Sequence, residues 1–412
     1  MRKNKIDIIS LGCSKNLVDS EHLIRQFQAN GYSVEHNPSR VDGEIVVVNT
    51  CGFIRDAQEE SIDMILELGR AKKEGKIKKL FVMGCLAERF MAQLIDELPE
   101  VDKFYGKFNW KEMLNDLGKS YKEDLSSERY LTTPKHYAYL KISEGCNRFC
   151  AFCAIPLITG RHKSVPMDTL LNEVKHLVSQ GVKEFNVIAQ DLSSYGLDLY
   201  GKMMLPELID QMAQIEGVEW IRLHYAYPTQ FPYDILPVMA KHDNVCKYLD
   251  IALQHSSDKV LNNMQRHITK AETIELIKRI RKEVPGIHIR TTLMVGFPGE
   301  GEEEFNDLVD FVEEMRFERM GAFAYSEEEG TFAAKHFDDI IPEDVKADRL
   351  DKIMEIQEEI SNEIQSKKVG NVYKVIIDSV DEMYYSGRTE WDSPEVDPEV
   401  LIPVENGKLE IG

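Results

Sequence analysis

Six times between residues 137 and 325, a short apolar run gives way to a stretch of helix length. The runs are 137–143, 184–190, 220–227, 248–254, 288–295 and 320–325, with helical patterns such as 169–179, 206–215, 270–283 and 302–315 between them. Parallel strands need a crossover of helix length, so this alternation predicts a parallel α/β sheet. Six units are fewer than the closed eight-fold barrel requires, which points to an open, partial (βα)6 barrel. Barrels of this kind carry their chemistry at the C-terminal ends of the strands.

The flanking segments read differently. Residues 6–11, 44–48 (EIVVV) and 79–83 (KLFVM) are strand-like runs separated by helical stretches at 20–29 and 56–73, which predicts a second, smaller parallel sheet. Residues 115–135 are polar and broken by Gly and Pro, so a boundary falls there. After residue 340 a long helix is expected, with Pro342 near its start and Gly370 just past its end. From Asn371 the pattern turns to β (VYKVIID, MYYSGRT, VLIPV), a small antiparallel barrel that looks incomplete, since the stretch is short for five strands. The expected domains are therefore 1–125, 136–368 and 369–412 within an α/β chain.

Composition narrows the function. A net charge of −21 over 412 residues argues against broad contact with nucleic acid, which needs clustered Lys and Arg. No run approaches the ~18 apolar residues of a membrane span, and 6–11 is too short for a signal peptide. Seven Cys are too sparse, and odd in number, for a disulfide framework. The reading is a cytoplasmic protein with reduced thiols and no membrane contact.

Six of those Cys fall into two sets of three. Cys146, Cys150 and Cys153 lie in SEGCNRFCAFC, spaced CxxxCxxC, directly after the first barrel strand. Three thiolates on one loop suit three irons of a 4Fe–4S cluster and leave the fourth iron open to a ligand. Zinc is the competing metal, but zinc sites usually pair a CxxC with a second pair downstream, and none follows. Phe152 is placed to stack on a ligand base, or simply to pack. In the second set, Cys13, Cys51 and Cys85 each end a predicted parallel strand, about one βα unit apart. Parallel neighbours bring such thiols together at the carboxyl edge of the sheet, where α/β folds bind ligands. Cys246 has no partner thiol in sequence and reads as structural.

With these motifs the chain resembles the radical S-adenosylmethionine (SAM) enzymes, and among them the methylthiotransferase family, with its N-terminal Cys triad and C-terminal TRAM-like barrel. The match spans nearly the whole sequence, through GCSKNLVDSE (12–21), SEGCNRFCAFCAIP (143–156), IAQDLSSYG (188–196), LHYAYP (223–228), DIALQHSS (250–257), VGFPGEGEEEF (295–305), FAYSEEEGTFAA (323–334) and YSGRTEWDSPEVD (385–397). It is most similar to the branch that methylthiolates an aspartate of small ribosomal subunit protein twelve. Its tRNA-modifying siblings usually carry Gln-Met where Ser14-Lys15 stands and Gln-Asn where Gln190-Asp191 stands. The family more often has Arg-Gly where this chain has Thr159-Gly160.

The resemblance implies two 4Fe–4S clusters, on Cys146/Cys150/Cys153 and on Cys13/Cys51/Cys85, and SAM as co-substrate. It implies reductive cleavage of SAM to a 5′-deoxyadenosyl radical, hydrogen abstraction from the β-carbon of the aspartate, and delivery of a methylated sulfur from the second cluster. No further catalytic side chain is assigned. Candidate SAM contacts are Phe152, Gln190, Asp191, Arg222, Gln254, Gly296 and Tyr325 near the later strand ends. An external electron donor is required, and the sulfur donor is left open.

Two rivals remain, a tRNA methylthiotransferase and an electron-carrying iron–sulfur protein. The carrier needs no SAM pocket and would use a fourth Cys per cluster. The tRNA enzyme should have a basic terminal barrel. Residues 369–412 instead hold Lys374, Arg388 and Lys408 against ten acids, a net −7. That suits a basic protein substrate and argues against direct tRNA binding. Asp392, Glu395 and Asp397, with Tyr384, Tyr385 and Trp391, are the expected docking face.

Overall fold

The central strand of the first sheet is dominated by β-branched residues, and both its faces are covered. A computed structural model describes residues 2–412. They form two compact units, residues 2–133 with 154–161, and 134–153 with 162–412.

In the first unit, β1 (Arg2–Ser10), β2 (Ser33–His36), β3 (Gly43–Thr50), β4 (Lys79–Gly84) and β5 (Lys103–Phe104) form a parallel sheet in the order β2-β1-β3-β4-β5. Val46 and Val48 of β3 pack with Ile65, Leu68 and Leu94 on one face, and Ile45 and Val47 pack with Leu23, Ile24 and Phe27 on the other. That two-sided burial explains the unbroken apolar run EIVVV. β2 and β5 were not expected. Both are short edge strands without a long apolar run, which is how edges are commonly blunted. The first helix is Ser14–Ala29, starting earlier than the apolar pattern suggests, because Lys15, Asn16 and Asp19 in its first turns are buried polar residues.

The second unit holds β6 (Tyr137–Lys141), the two-stranded antiparallel pair β7 (Ser143–Glu144) and β8 (Lys163–Ser164), then β9 (Glu184–Ile188), β10 (Trp220–Ala226), β11 (Val245–Ile251), β12 (His288–Val295) and β13 (Arg319–Ala324). The six long strands are parallel in the order β13-β12-β11-β10-β9-β6, each beside its neighbour in sequence, and the outer two do not pair with each other. This is the expected open (βα)6 barrel. The long helix runs Glu343–Ser366 after Pro342, and Gly370 beyond it takes a left-handed φ of +88°.

The tail is an antiparallel sheet of β14 (Ile376–Val380), β15 (Tyr384–Arg388) and β16 (Val400–Pro403) in that order. Among the described residues it has three strands and does not close into a barrel. It belongs to the same compact unit as the (βα)6 sheet, so the expected three-part division becomes two units.

The acid-rich segment after β15 corrects an expectation. Asp392 is 3% exposed and pairs with Arg319 (2.5 Å) at the start of β13. Asp397 accepts from Arg290 Nη1 (2.6 Å) and Tyr248 Oη (2.9 Å). Arg388 donates to Glu184 (2.6 Å) at the start of β9 and to Asp378 (2.6 Å). Trp391 stacks on His288 at 4.6 Å, and Tyr385 is buried. These groups seat residues 388–397 against the N-terminal halves of the barrel strands and are not a docking face. Glu395 alone of the three acids is exposed, and its Oε2 accepts from Tyr139.

Candidate functional site

Each set of three thiols sits where a parallel sheet releases its chain. In the first unit β1, β3 and β4 are neighbours in register, with Ser10 opposite Asn49 and Thr50 opposite Gly84. Cys13, Cys51 and Cys85 follow those strands within three residues, so the topology gathers them at one carboxyl edge. All are free thiols. The loops approach so closely that a Cβ on Gly12 would lie 2.7 Å from Cys51 Cβ, and one on Gly52 would lie 2.6 Å from the Leu86 backbone.

Asn16 ties these loops together, a role with no sequence signal because a polar residue in a first helical turn usually faces water. Its Nδ2 donates to Leu11 O (3.2 Å) and Thr50 O (3.0 Å), and its Oδ1 accepts from Cys85 Sγ (3.4 Å). Asn49 Nδ2 donates in turn to Asn16 O (2.9 Å). Asn16→Ala leaves buried carbonyls unsatisfied, at about 1–3 kcal/mol each. The variant is expected to lose iron from this set while keeping the absorbance of the other. Iron analysis beside Cys51→Ala and Cys150→Ala checks it, and parent-like iron content counts against the role.

The second set lies on the loop after β7. Arg148 N donates to Cys146 Sγ (3.4 Å), and Cys150 Sγ lies 3.4 Å from Tyr227 Oη and 3.3 Å from Arg266 Nη1. Donors aimed at sulfur and little solvent are the environment that tunes iron–sulfur clusters. Burial pushes the Cys85 and Cys146 thiols up to about 12 and raises Cys51 as well. Such thiols stay protonated at neutral pH until a metal replaces the proton. Three free thiols per set, with no protein residue supplying a fourth thiol, fit clusters that keep one open iron.

Around the barrel mouth, backbone strain concentrates. Phe149 (φ 51°), Tyr225 (φ 64°) and Gln254 (φ 74°) are non-glycine residues in the left-handed region, which persists only where surroundings hold it. Gln254 Oε1 and Gln190 Oε1 are buried acceptors without a protein donor. Both follow strand ends, β11 and β9, and both fit a ligand with N–H or O–H groups. Asp191 holds Arg148 (2.7 Å) and the Ser193 amide (2.9 Å). Gly296 has φ +75°, and a Cβ there would lie 2.4 Å from Lys346 Cγ. Tyr325 and Phe152 pack edge-to-face on Phe297, at 4.9 and 6.3 Å. Arg222 sits elsewhere: it is third in β10, fully buried, and paired with Glu184 (3.2 Å) on the tail side of the barrel. Its place is structural, because the N-terminal half of a strand points away from the mouth. Cys246 is buried with Trp220 and Tyr248.

Known proteins match along the whole chain. Residues 140–312 match the radical SAM superfamily, 369–411 the TRAM domain, and 5–106 an uncharacterized protein family designated UPF0004. The ribosomal protein uS12 methylthiotransferase RimO of Parabacteroides distasonis is 66% identical over 98% of this chain and 93% of its own length. The chain belongs to the RimO family. The RimO of Flavobacterium johnsoniae is 51% identical over 100% of this chain and 94% of its own. Among solved structures, the radical SAM methyltransferase TsrM of Kitasatospora setae, with cobalamin and a [4Fe-4S] cluster bound, superposes with a TM-score of 0.57 at 14% identity, covering 78% of this chain and 75% of that one. At that identity the likeness concerns the fold alone. RimO membership brings SAM and 4Fe–4S clusters as cofactors, and the cysteine sets have the donor chemistry to hold them.

Proposed function

We propose that this chain is a radical SAM methylthiotransferase that adds a methylthio group to the β-carbon of an aspartate in ribosomal protein uS12. The carrying observation is the pair of three-thiol sets, each at the carboxyl edge of a parallel sheet, in a chain 66% identical to a uS12 methylthiotransferase over 98% of its length. Cys146, Cys150 and Cys153 hold the cluster that engages SAM, and Cys13, Cys51 and Cys85 hold the one that handles sulfur. When bound, these groups supply the electron that splits SAM and the site from which sulfur is delivered.

The protein's own part is positioning. Gln190 and Gln254 offer buried amide oxygens to SAM's ammonium or ribose hydroxyls. The Gly296 turn, with its positive φ and the Lys346 side chain packed against it, admits no side chain at this strand end. Phe297, flanked by Phe152 and Tyr325, gives an apolar wall. Asp191 fixes Arg148 and, with it, the backbone that donates to Cys146. Functionally, residues 1–125 deliver sulfur, 136–368 generate the radical, and 369–412 form the TRAM-type sheet.

Reduction comes from an external electron donor, and the sulfur donor is left open. The tRNA reading is disfavoured by the tail. Arg388 is buried, Lys374 pairs with Glu219 (2.8 Å), and Asp381, Glu382, Glu399, Glu405 and Glu410 are exposed. A ribosomal substrate supports a cytoplasmic enzyme, and among the described residues no helix is long and apolar enough to cross a membrane. Mass spectrometry of uS12 and of bulk tRNA, from cells with and without this gene, tests the reading. A methylthio mass increment that disappears from uS12 is expected. Its disappearance from tRNA instead moves the tRNA reading to first place.

A further inference from the structure

Arg266 is a buried cation without a carboxylate partner. It is 2% exposed, its Nη1 lies 3.3 Å from Cys150 Sγ, its Nη2 donates to the carbonyl of Ala252, and its Nε has no acceptor. The guanidinium rests on the Tyr227 ring at 4.1 Å, while Arg148 covers the same ring at 4.3 Å. The two arginines differ in their counter-charge. Arg148 pairs with Asp191, whereas Arg266 meets the Cys150 sulfur and the face of the Tyr227 ring and no carboxylate among the described residues. Guanidinium does not give up its proton in proteins, and an unpaired buried charge is strongly unfavourable. Negative charge on the cysteine sulfurs is therefore what this residue is placed to meet.

The backbone supports the same placement. Gln265 (φ 57°) and His267 (φ 52°), on either side of Arg266, both take the left-handed conformation that non-glycine residues rarely adopt. The turn is held by Arg266 N donating to Leu261 O (2.9 Å), Thr229 Oγ1 donating to Arg266 O (2.8 Å) and Ala151 N, beside Cys150, donating to Met264 O (2.9 Å). Strain on both sides of one inward-facing cation, in a turn whose Met264 carbonyl accepts from the residue beside Cys150, marks a constraint on where that cation sits.

We propose that Arg266, seated on Tyr227, is a positioning residue for the Cys150 sulfur and sets how readily the cluster on Cys146, Cys150 and Cys153 accepts an electron. The inference rests on the reading of those thiols as cluster ligands. Reduction adds one negative charge to the cluster, taken from the external donor. A fixed positive charge and an N–H donor at sulfur stabilise that added charge and raise the potential. Arg148 cannot substitute, because Asp191 already neutralises it.

The test is a redox titration with dithionite on the anaerobically reconstituted full chain, followed by electron paramagnetic resonance. The wave that Cys150→Ala abolishes identifies this cluster. If the parent binds no iron at these thiols, the cluster reading itself fails, before potentials are compared. With iron present, Arg266→Gln is expected to lower the reduction equilibrium about tenfold, a shift of ~59 mV to more negative potential for one electron. The wave of the other cluster should stay in place. An unmoved Cys150-dependent wave at full iron content, or two waves shifting together, overturns the proposal. Should Arg266→Gln fail to retain this cluster, Arg266→Lys decides. It keeps the charge but not the planar fork, and a smaller negative shift is expected. A parent-like wave or a lost cluster in that variant overturns the proposal.

Discussion

Cys150→Ala is expected to remove roughly half of the protein's ~8 irons and all SAM cleavage, whereas Cys51→Ala removes a similar half and leaves SAM cleavage measurable. The asymmetry follows from where the thiols lie. Cys150 is on the loop after β7 in the unit that holds the (βα)6 sheet, and the proposed function assigns SAM to its cluster. Cys51 follows β3 in the other compact unit, whose sheet has its own cysteine edge. Iron analysis together with chromatographic detection of 5′-deoxyadenosine, after anaerobic incubation with SAM and dithionite, reads both effects. Full iron content in Cys51→Ala would remove the second cluster from the mechanism. SAM cleavage surviving in Cys150→Ala would displace the first. Cys246→Ser serves as a control: that thiol lies between Trp220 and Tyr248, and its loss should leave both readouts intact.

The strand ends and their cysteines were legible because both are written locally. A run such as EIVVV fixes a two-sided strand, and a Cys directly after it needs only parallel neighbours to meet its counterparts. The six barrel strands were legible for the same reason, their bounds shifting by at most a few residues. Groups whose meaning depends on distant partners were not legible. Arg222 looks like a strand-end cation in sequence, yet the third position of β10 faces Glu184, itself bonded to Arg388 from the tail. Arg266 carries no periodic or motif signal at all; only the folded loop shows it reaching Cys150. Asn16 is similar, a polar residue whose three partners come from three different strand ends. The tail is the clearest case. A count of ten acids describes charge but not pairing, and the partners that neutralise Asp392 and Asp397, Arg319 and Arg290, come from elsewhere in the chain.

Reversing Asp392 and Asp397 to Lys is accordingly expected to unseat the tail rather than merely weaken an encounter with substrate. Each substitution sets an ammonium against a guanidinium, the buried Arg319 in one case and the half-buried Arg290 in the other, and it strips the acceptor from the Thr389 hydroxyl and from Tyr248 Oη. Breaking a buried ion pair from one side costs about 3–5 kcal/mol, and the reversed charge adds repulsion. Urea unfolding and limited proteolysis should show an earlier transition and cleavage within 371–412. Reversal of the exposed Glu405 and Glu410 should move stability by no more than about 0.5 kcal/mol. Acid gives the same result without mutation. Burial alone would raise the Asp392 carboxyl, but hydrogen bonds from Thr389 and Arg319 outweigh it and hold it below the usual range. Glu184 is also lowered, with Arg222 and Arg388 overcoming its burial. Depressed carboxyls contribute stability that is complete above the unfolded-state range of about 4 and is lost as pH falls through their folded values. Tail release should therefore begin below about pH 4 in the parent protein. A double variant as stable and protease-resistant as the parent would show that these ion pairs do not hold the tail, and would return Asp392 and Asp397 to the list of candidate docking residues.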